Sequence, residues 1–189
     1  MENQNRRYEE WLRNLPNKLT AFRVLIIPVL CALYSWNYSI LNMLCAGLFA
    51  VGAITDFLDG YLARKMNSVT KLGEILDPIS DKLLVLSALV IMVGADVLSA
   101  WIAVLVLCRE IAVSGLRLVA SEQGFSIKVS GFGKIKTFLQ DISITFLLTR
   151  IEGDVQRIGM IAFWASVVFS YFSAYEYWTK FWERNKEQL

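Results

Sequence analysis

The sequence predicts an all-α integral membrane protein: six transmembrane helices behind a short N-terminal amphipathic interfacial helix, with both termini cytoplasmic. Three observations predict it. Of the 189 residues, 56% are hydrophobic and the mean hydropathy is +0.47, more apolar than an ordinary soluble domain. Six segments, approximately 19–38, 40–62, 75–95, 97–120, 133–150 and 156–179, approach the roughly 20 mostly apolar residues that a spanning helix needs. With both termini inside, seventeen of the nineteen Lys and Arg residues fall on the inner side and only Arg150 and Arg157 outside, a positive-inside pattern. No linker or internal repeat divides the spans, so one domain is expected over 19–182, with a juxtamembrane segment at 1–18 and a tail at 183–189.

Taken in order, the start is polar and lacks the apolar stretch of a cleavable signal peptide. Tyr8, Trp11, Leu12 and Leu15 recur at helical spacing among Arg6, Arg7, Glu9, Glu10 and Arg13, as in a helix lying on a membrane surface. In the spans themselves the apolar runs Leu83–Ala95, Val97–Cys108 and Ile142–Thr149 are too short to cross alone. A polar stretch on the inner side completes each. Span 1 holds Arg23, span 2 Asp56 and Asp59, and span 3 Asp77 and Asp81. Span 4 holds Arg109, Glu110 and Arg117, and span 5 Lys134, Lys136 and Asp141. Ionisable groups at membrane depth cost about 2.5–3.5 kcal/mol each and normally face a cavity or a partner. The expected packing is a bundle sealed on its outer half and hollow on its inner half, open to the cytosol. Pro28 and Pro78 read as kinks or first-turn prolines. Trp36, Trp101, Trp178 and Trp182 lie near span ends, as interfacial anchors do.

Composition also excludes chemistry. The chain has no histidine, which removes imidazole acid–base catalysis and His-ligated zinc and leaves proton transfer to Asp, Glu, Lys, Tyr or Cys. Cys31, Cys45 and Cys108 are odd in number, lie in apolar stretches and lack metal-ligand spacing, so they read as buried hydrophobes.

The aspartates carry the positive evidence. Asp56 and Asp59 are three apart, and Gly73, Asp77 and Asp81 are spaced by four, so each set shares one helix face. The short connection from Lys65 to Leu72 makes spans 2 and 3 antiparallel neighbours whose carboxylate faces can converge. Four carboxylates without counter-charge would repel, and some would stay protonated. Oxygen-only ligands suit Mg2+ or Mn2+, and two such ions about 3.5–4 Å apart clamp the oxygens of a phosphoryl transfer. Gly60 would let a ligand approach the backbone, and Arg64 could grip a phosphate. The competing reading pairs the aspartates with Arg64, Lys65 and Lys82 to hold the bundle together.

The stretch reads Asp56-x-x-Asp59-Gly60-x-x-Ala63-Arg64, eight residues, then Gly73-x-x-x-Asp77-x-x-x-Asp81. This resembles the signature of the CDP-alcohol phosphatidyltransferases at all eight defining positions and both spacings. The resemblance implies a six-helix membrane enzyme, usually a homodimer, that uses divalent metal to transfer a phosphate-linked group from a CDP-linked donor with release of CMP. It implies metal ligation by Asp56, Asp59 and Asp77 within the four-aspartate set. Asp81 would be the general base for the acceptor hydroxyl. Gly60, Ala63 and Arg64 would accommodate the cytidine diphosphate, and Gly73 a close contact.

Segments outside the signature bear on the acceptor. Leu15–Pro28, Arg109–Gly124 and Gly133–Thr137 look like the matching segments of bacterial family members that use CDP-diacylglycerol and glycerol 3-phosphate. Glycerol 3-phosphate is dianionic, and Thr20, Arg23, Arg109, Arg117, Lys134 and Lys136 could supply a positive pocket on the inner side. Arg109 and Arg117, eight apart, are assigned to one helix face. Positive-inside anchoring accounts for Lys128 and Lys71 and competes for the two arginines. An inositol phosphate would want a similar pocket, and Glu110, Glu122 and Asp141 receive no firm role. A cation transporter is the rival from another class, but the polar residues leave no path through the outer half. The expected setting is the bacterial cytoplasmic membrane with the active site facing the cytosol, and no nucleic-acid partner is expected.

Overall fold

The structure, a computed structural model, describes residues 15–66, 71–125, 127 and 130–186, and of residues 15–20, 56–66 and 71–81 it describes the backbone course only. The amphipathic segment foreseen at the N-terminus and Lys128 therefore lie outside the described residues, as do the side chains of Thr20 and of the whole aspartate signature. The described residues form helices joined by turns, with no strand among them: α1 (Leu15–Tyr34), α2 (Ser39–Met66), α3 (Lys71–Gly94), α4 (Ala100–Glu122), α5 (Gly131–Leu148) and α6 (Asp154–Lys186). Each overlaps one apolar segment foreseen in the sequence.

Composition separates the helices. Among the described residues, α6 is the one helix long and apolar enough to cross a membrane. Among the described residues, shorter apolar stretches occupy Ala21–Tyr34, Ser39–Thr55 and Lys82–Gly94. Large apolar side chains nevertheless stand exposed on every helix, among them Leu25, Ile40, Val90, Trp101, Phe138 and Ile161.

The chain divides into two compact units, Met1–Ile91 and Met92–Leu189. In the first unit, α1 packs on α2. The α1 face Arg23, Ile26, Leu30 and Tyr34 is buried, at spacings of three and four that define one helix stripe. Pro28 lies inside α1 without ending it. Cys45, Ala46 and Phe49 of α2 complete this core.

In the second unit, α6 packs against both α4 and α5. Gly124 (φ 82°) follows the end of α4 in a left-handed conformation that glycine adopts without steric cost. Ser130 caps α5, its Oγ accepting from the Gly133 amide at 3.1 Å, which satisfies one orphan donor of the first turn. The turn from α5 to α6 is fastened by Arg150, whose Nη2 donates to the Ala95 carbonyl at 3.1 Å. Gly159 lets α6 approach α5: a Cβ there would stand 3.1 Å from Phe146 Cβ and 3.2 Å from Leu147 Cγ. Buried Ser166, Ser170 and Ser173 continue the same small-residue face.

Candidate active site

The first unit carries the aspartate signature. Asp56 and Asp59 lie in the continuous helix α2, with Gly60, Ala63 and Arg64 in its last turns. Gly73 opens α3, and Asp77 and Asp81 follow within it. Helical spacing therefore holds on both sides. The described side chains show one close approach of the two helices. A Cβ at Gly52 would stand only 2.8 Å from Leu84 Cδ2, so α2 and α3 make their close approach there. Gly52 is one turn before Asp56 on the α2 stripe 52, 56, 59, and Leu84 is one turn after Asp81 on the α3 stripe 77, 81, 84. Sequence reasoning missed Gly52; its signal was a glycine four residues ahead of Asp56 in an otherwise apolar run.

Arg23 sits on the same level from the α1 side. Ile26 Cδ1 would lie 3.9 Å from a Cβ at Gly52, and Arg23, three residues before Ile26, is fully buried. Because α1 and α2 are joined by a short turn and run antiparallel, Arg23 falls at the depth of Asp56. The sequence grouped Arg23 with the basic acceptor residues; the fold sets it in the unit that bears the aspartates. As a donor set, carboxylates on two packed helices fit hard divalent cations, which take oxygen ligands.

The second unit carries the basic residues, and it sorts them. Arg109 and Lys136 are buried, with Glu110 between them. Arg109 Nη1 reaches Glu110 Oε1 at 2.9 Å, and Lys136 Nζ donates to the same oxygen. Arg109 Nε donates to the Ser170 carbonyl at 2.9 Å, so the cluster ties α4, α5 and α6 together. Arg117 and Lys134 are exposed. The two lysines are two apart on α5, hence on roughly opposite faces. Eight residues make about 2.2 turns at 3.6 per turn, so Arg117 is rotated by about 80° from Arg109 and the two part company. The expectation that these arginines share a face is corrected accordingly. Sequence reasoning brought Arg109 and Lys136 together and left Glu110, the residue that joins them, without a role.

Comparison with known proteins follows the same lines. Residues 13–172 match the family model described as CDP-alcohol phosphatidyltransferase. A Bacillus subtilis (strain 168) protein named CDP-diacylglycerol–glycerol-3-phosphate 3-phosphatidyltransferase is 38% identical, over 92% of this chain and 97% of its own. Proteins of the same name are similar from Rickettsia typhi, at 38% identity over 88% of this chain and 96% of theirs, and from Sodalis glossinidius, at 37% over 87% and 92%.

Proposed function

The chain belongs to the CDP-alcohol phosphatidyltransferase family, and from that premise we propose that it transfers the phosphatidyl group of CDP-diacylglycerol to glycerol 3-phosphate, releasing CMP. The observation that carries this reading is the similarity to relatives named for that reaction along nearly the full length of both chains. The signature alone names the donor chemistry and leaves the alcohol open.

Each group has a task in that reaction. Asp81 takes the proton from the acceptor hydroxyl. The oxygen so released attacks the lipid-linked phosphorus in line, the bond from that phosphorus to the CMP oxygen breaks, and CMP departs. Asp56, Asp59 and Asp77, with Asp81 in the same set, would hold two divalent cations, Mg2+ or Mn2+, which when bound supply positive charge to the diphosphate and the leaving phosphate. Gly60, Ala63 and Arg64 receive the cytidine diphosphate, and Gly73 keeps α3 open to close approach. Arg109 and Lys136 answer the charge of the acceptor phosphate; cationic side chains bind phosphate through charge-assisted hydrogen bonds.

The exposed apolar surfaces of all six helices support a multi-pass arrangement in the bacterial cytoplasmic membrane, with both termini and the active site on the cytosolic side. A homodimer is the assembly proposed. The test is CMP release from CDP-diacylglycerol in detergent micelles with Mg2+ or Mn2+, across glycerol 3-phosphate, inositol phosphate, glycerol and serine. Turnover with glycerol 3-phosphate well above the others is expected. Preference for inositol phosphate would reassign the acceptor, and ion flux in liposomes without CMP release would replace the enzyme reading altogether.

A further inference from the structure

Glu110 is the buried group for which the reaction as described has no use. It lies in the middle of α4, 8% exposed, against Arg109 at 8% and Lys136 at 7%. Buried carboxylates are expensive unless paired, and this one is paired twice on a single oxygen, by Arg109 Nη1 and Lys136 Nζ. Two cations against one carboxylate leave the trio at +1. A purely structural pair would close at zero, because an odd buried charge raises the desolvation cost with nothing to offset it. The cations also keep donors to spare. A guanidinium has five N–H bonds and an ammonium three; Arg109 commits Nε to the Ser170 carbonyl and Nη1 to Glu110, and Lys136 commits one N–H to Glu110.

We propose that Glu110 is a positioning residue for acceptor recognition. It pins the Arg109 guanidinium and the Lys136 ammonium in one geometry and leaves the trio one charge short of neutrality, so that a phosphate dianion completes it. The lysine is the side chain most in need of such a partner, since its long stem samples many rotamers and each immobilised rotamer lowers affinity. The inference rests on the proposed acceptor, glycerol 3-phosphate, and deepens it.

The test is steady-state kinetics on the full-length protein in detergent, with glycerol 3-phosphate and CDP-diacylglycerol varied in turn. Glu110→Gln keeps the shape and removes the charge. The expected result is an acceptor KM raised about tenfold, the scale of one lost charge-assisted hydrogen bond, with the KM for CDP-diacylglycerol and kcat within about threefold. Glu110→Asp keeps the charge on a shorter arm, so it lands between the two, a graded rescue that simple destabilisation would not give. It also supplies the reading if the glutamine variant is not recovered folded. An acceptor KM unchanged or lowered in both variants overturns the inference, and so does a rise shared equally by both substrates. The wild-type arm reads the parent assignment separately. Wild type that releases CMP with glycerol 3-phosphate, beside variants with an unaltered acceptor KM, sinks the inference alone; wild type inert with glycerol 3-phosphate sinks the acceptor assignment and the inference with it.

Discussion

On α2 and α3, four aspartates recur within twenty-six residues and no basic residue shares their stripes at 52, 56, 59 and 77, 81, 84. On α4 and α5, by contrast, Arg109, Glu110 and Lys136 come from positions up to twenty-seven residues apart and meet in one buried cluster. Both regions place charge among apolar side chains. In the first, the sequence repeats one sign of charge along each helix stripe, the pattern for which a divalent-cation partner is proposed. In the second, unlike charges answer one another and most of their electrostatics is internal. Charge grouped by sign on a helix face therefore announces a ligand, whereas charge assembled across helices does structural duty first and can recognise a ligand only with what is left over.

Substitutions should separate the two regions. Asp81→Asn has the largest expected effect: CMP release falls by about 10²–10⁴, the contribution typical of a general base, while the melting temperature in detergent holds. An Asp81→Asn protein that kept full turnover would remove Asp81 as the base. Arg109→Met comes next and acts in the other currency. It deletes the hydrogen bonds to Glu110 and to the Ser170 carbonyl, so denaturant titration should show a loss of about 1.5–3 kcal/mol and a smaller fall in saturated turnover than Asp81→Asn. Equal effects on turnover would erase the contrast.

The smallest changes, one methyl each, sharpen it. Gly52→Ala sets a Cβ 2.8 Å from Leu84 Cδ2, and Leu84 is itself buried. Overpacking of this kind costs about 1–3 kcal/mol. Because Asp56 is one turn away, activity should fall several-fold as well. Gly159→Ala meets Phe146 Cβ at 3.1 Å, an atom anchored to backbone, and should cost a similar amount of stability with turnover intact. Parallel thermal melts and CMP assays on the two variants check the pair.

Much of this was legible in the sequence. Six apolar segments separated by polar connections gave the six helices, and the signature placed its residues on α2 and α3 without any coordinates. The helix ends were less legible. Hydropathy ends the sixth segment near 179, yet α6 continues to Lys186, because Tyr177 and Phe181 pack with Ala120 and Ile127 and a contact of that kind leaves no mark on local hydropathy. Which face of each helix turns inward was hidden for a related reason. Apolar residues cover both faces of α6, where Phe163 is buried and Trp164 exposed, so amphipathic periodicity has nothing to report. Spacing alone does not group the basic residues: Arg109 and Arg117 are eight apart, yet one is buried and the other exposed. Glu110 stands out in the sequence as an ionisable residue without a firm role, because adjacent positions on a helix do not ordinarily face each other; the length of the arginine and glutamate side chains lets them meet.

The face of α6 built from Gly159, Ser166, Ser170 and Ser173 has a thermal consequence. In the proposed membrane setting no water is released when two helices join, so small residues hold them by close contact and dispersion. The hydrophobic effect weakens on cooling because of its large heat-capacity change, and a seam made this way carries little of that term. The association of α5 with α6 should therefore soften on warming and keep its grip in the cold, a temperature profile set by one glycine and three serines where larger side chains could stand.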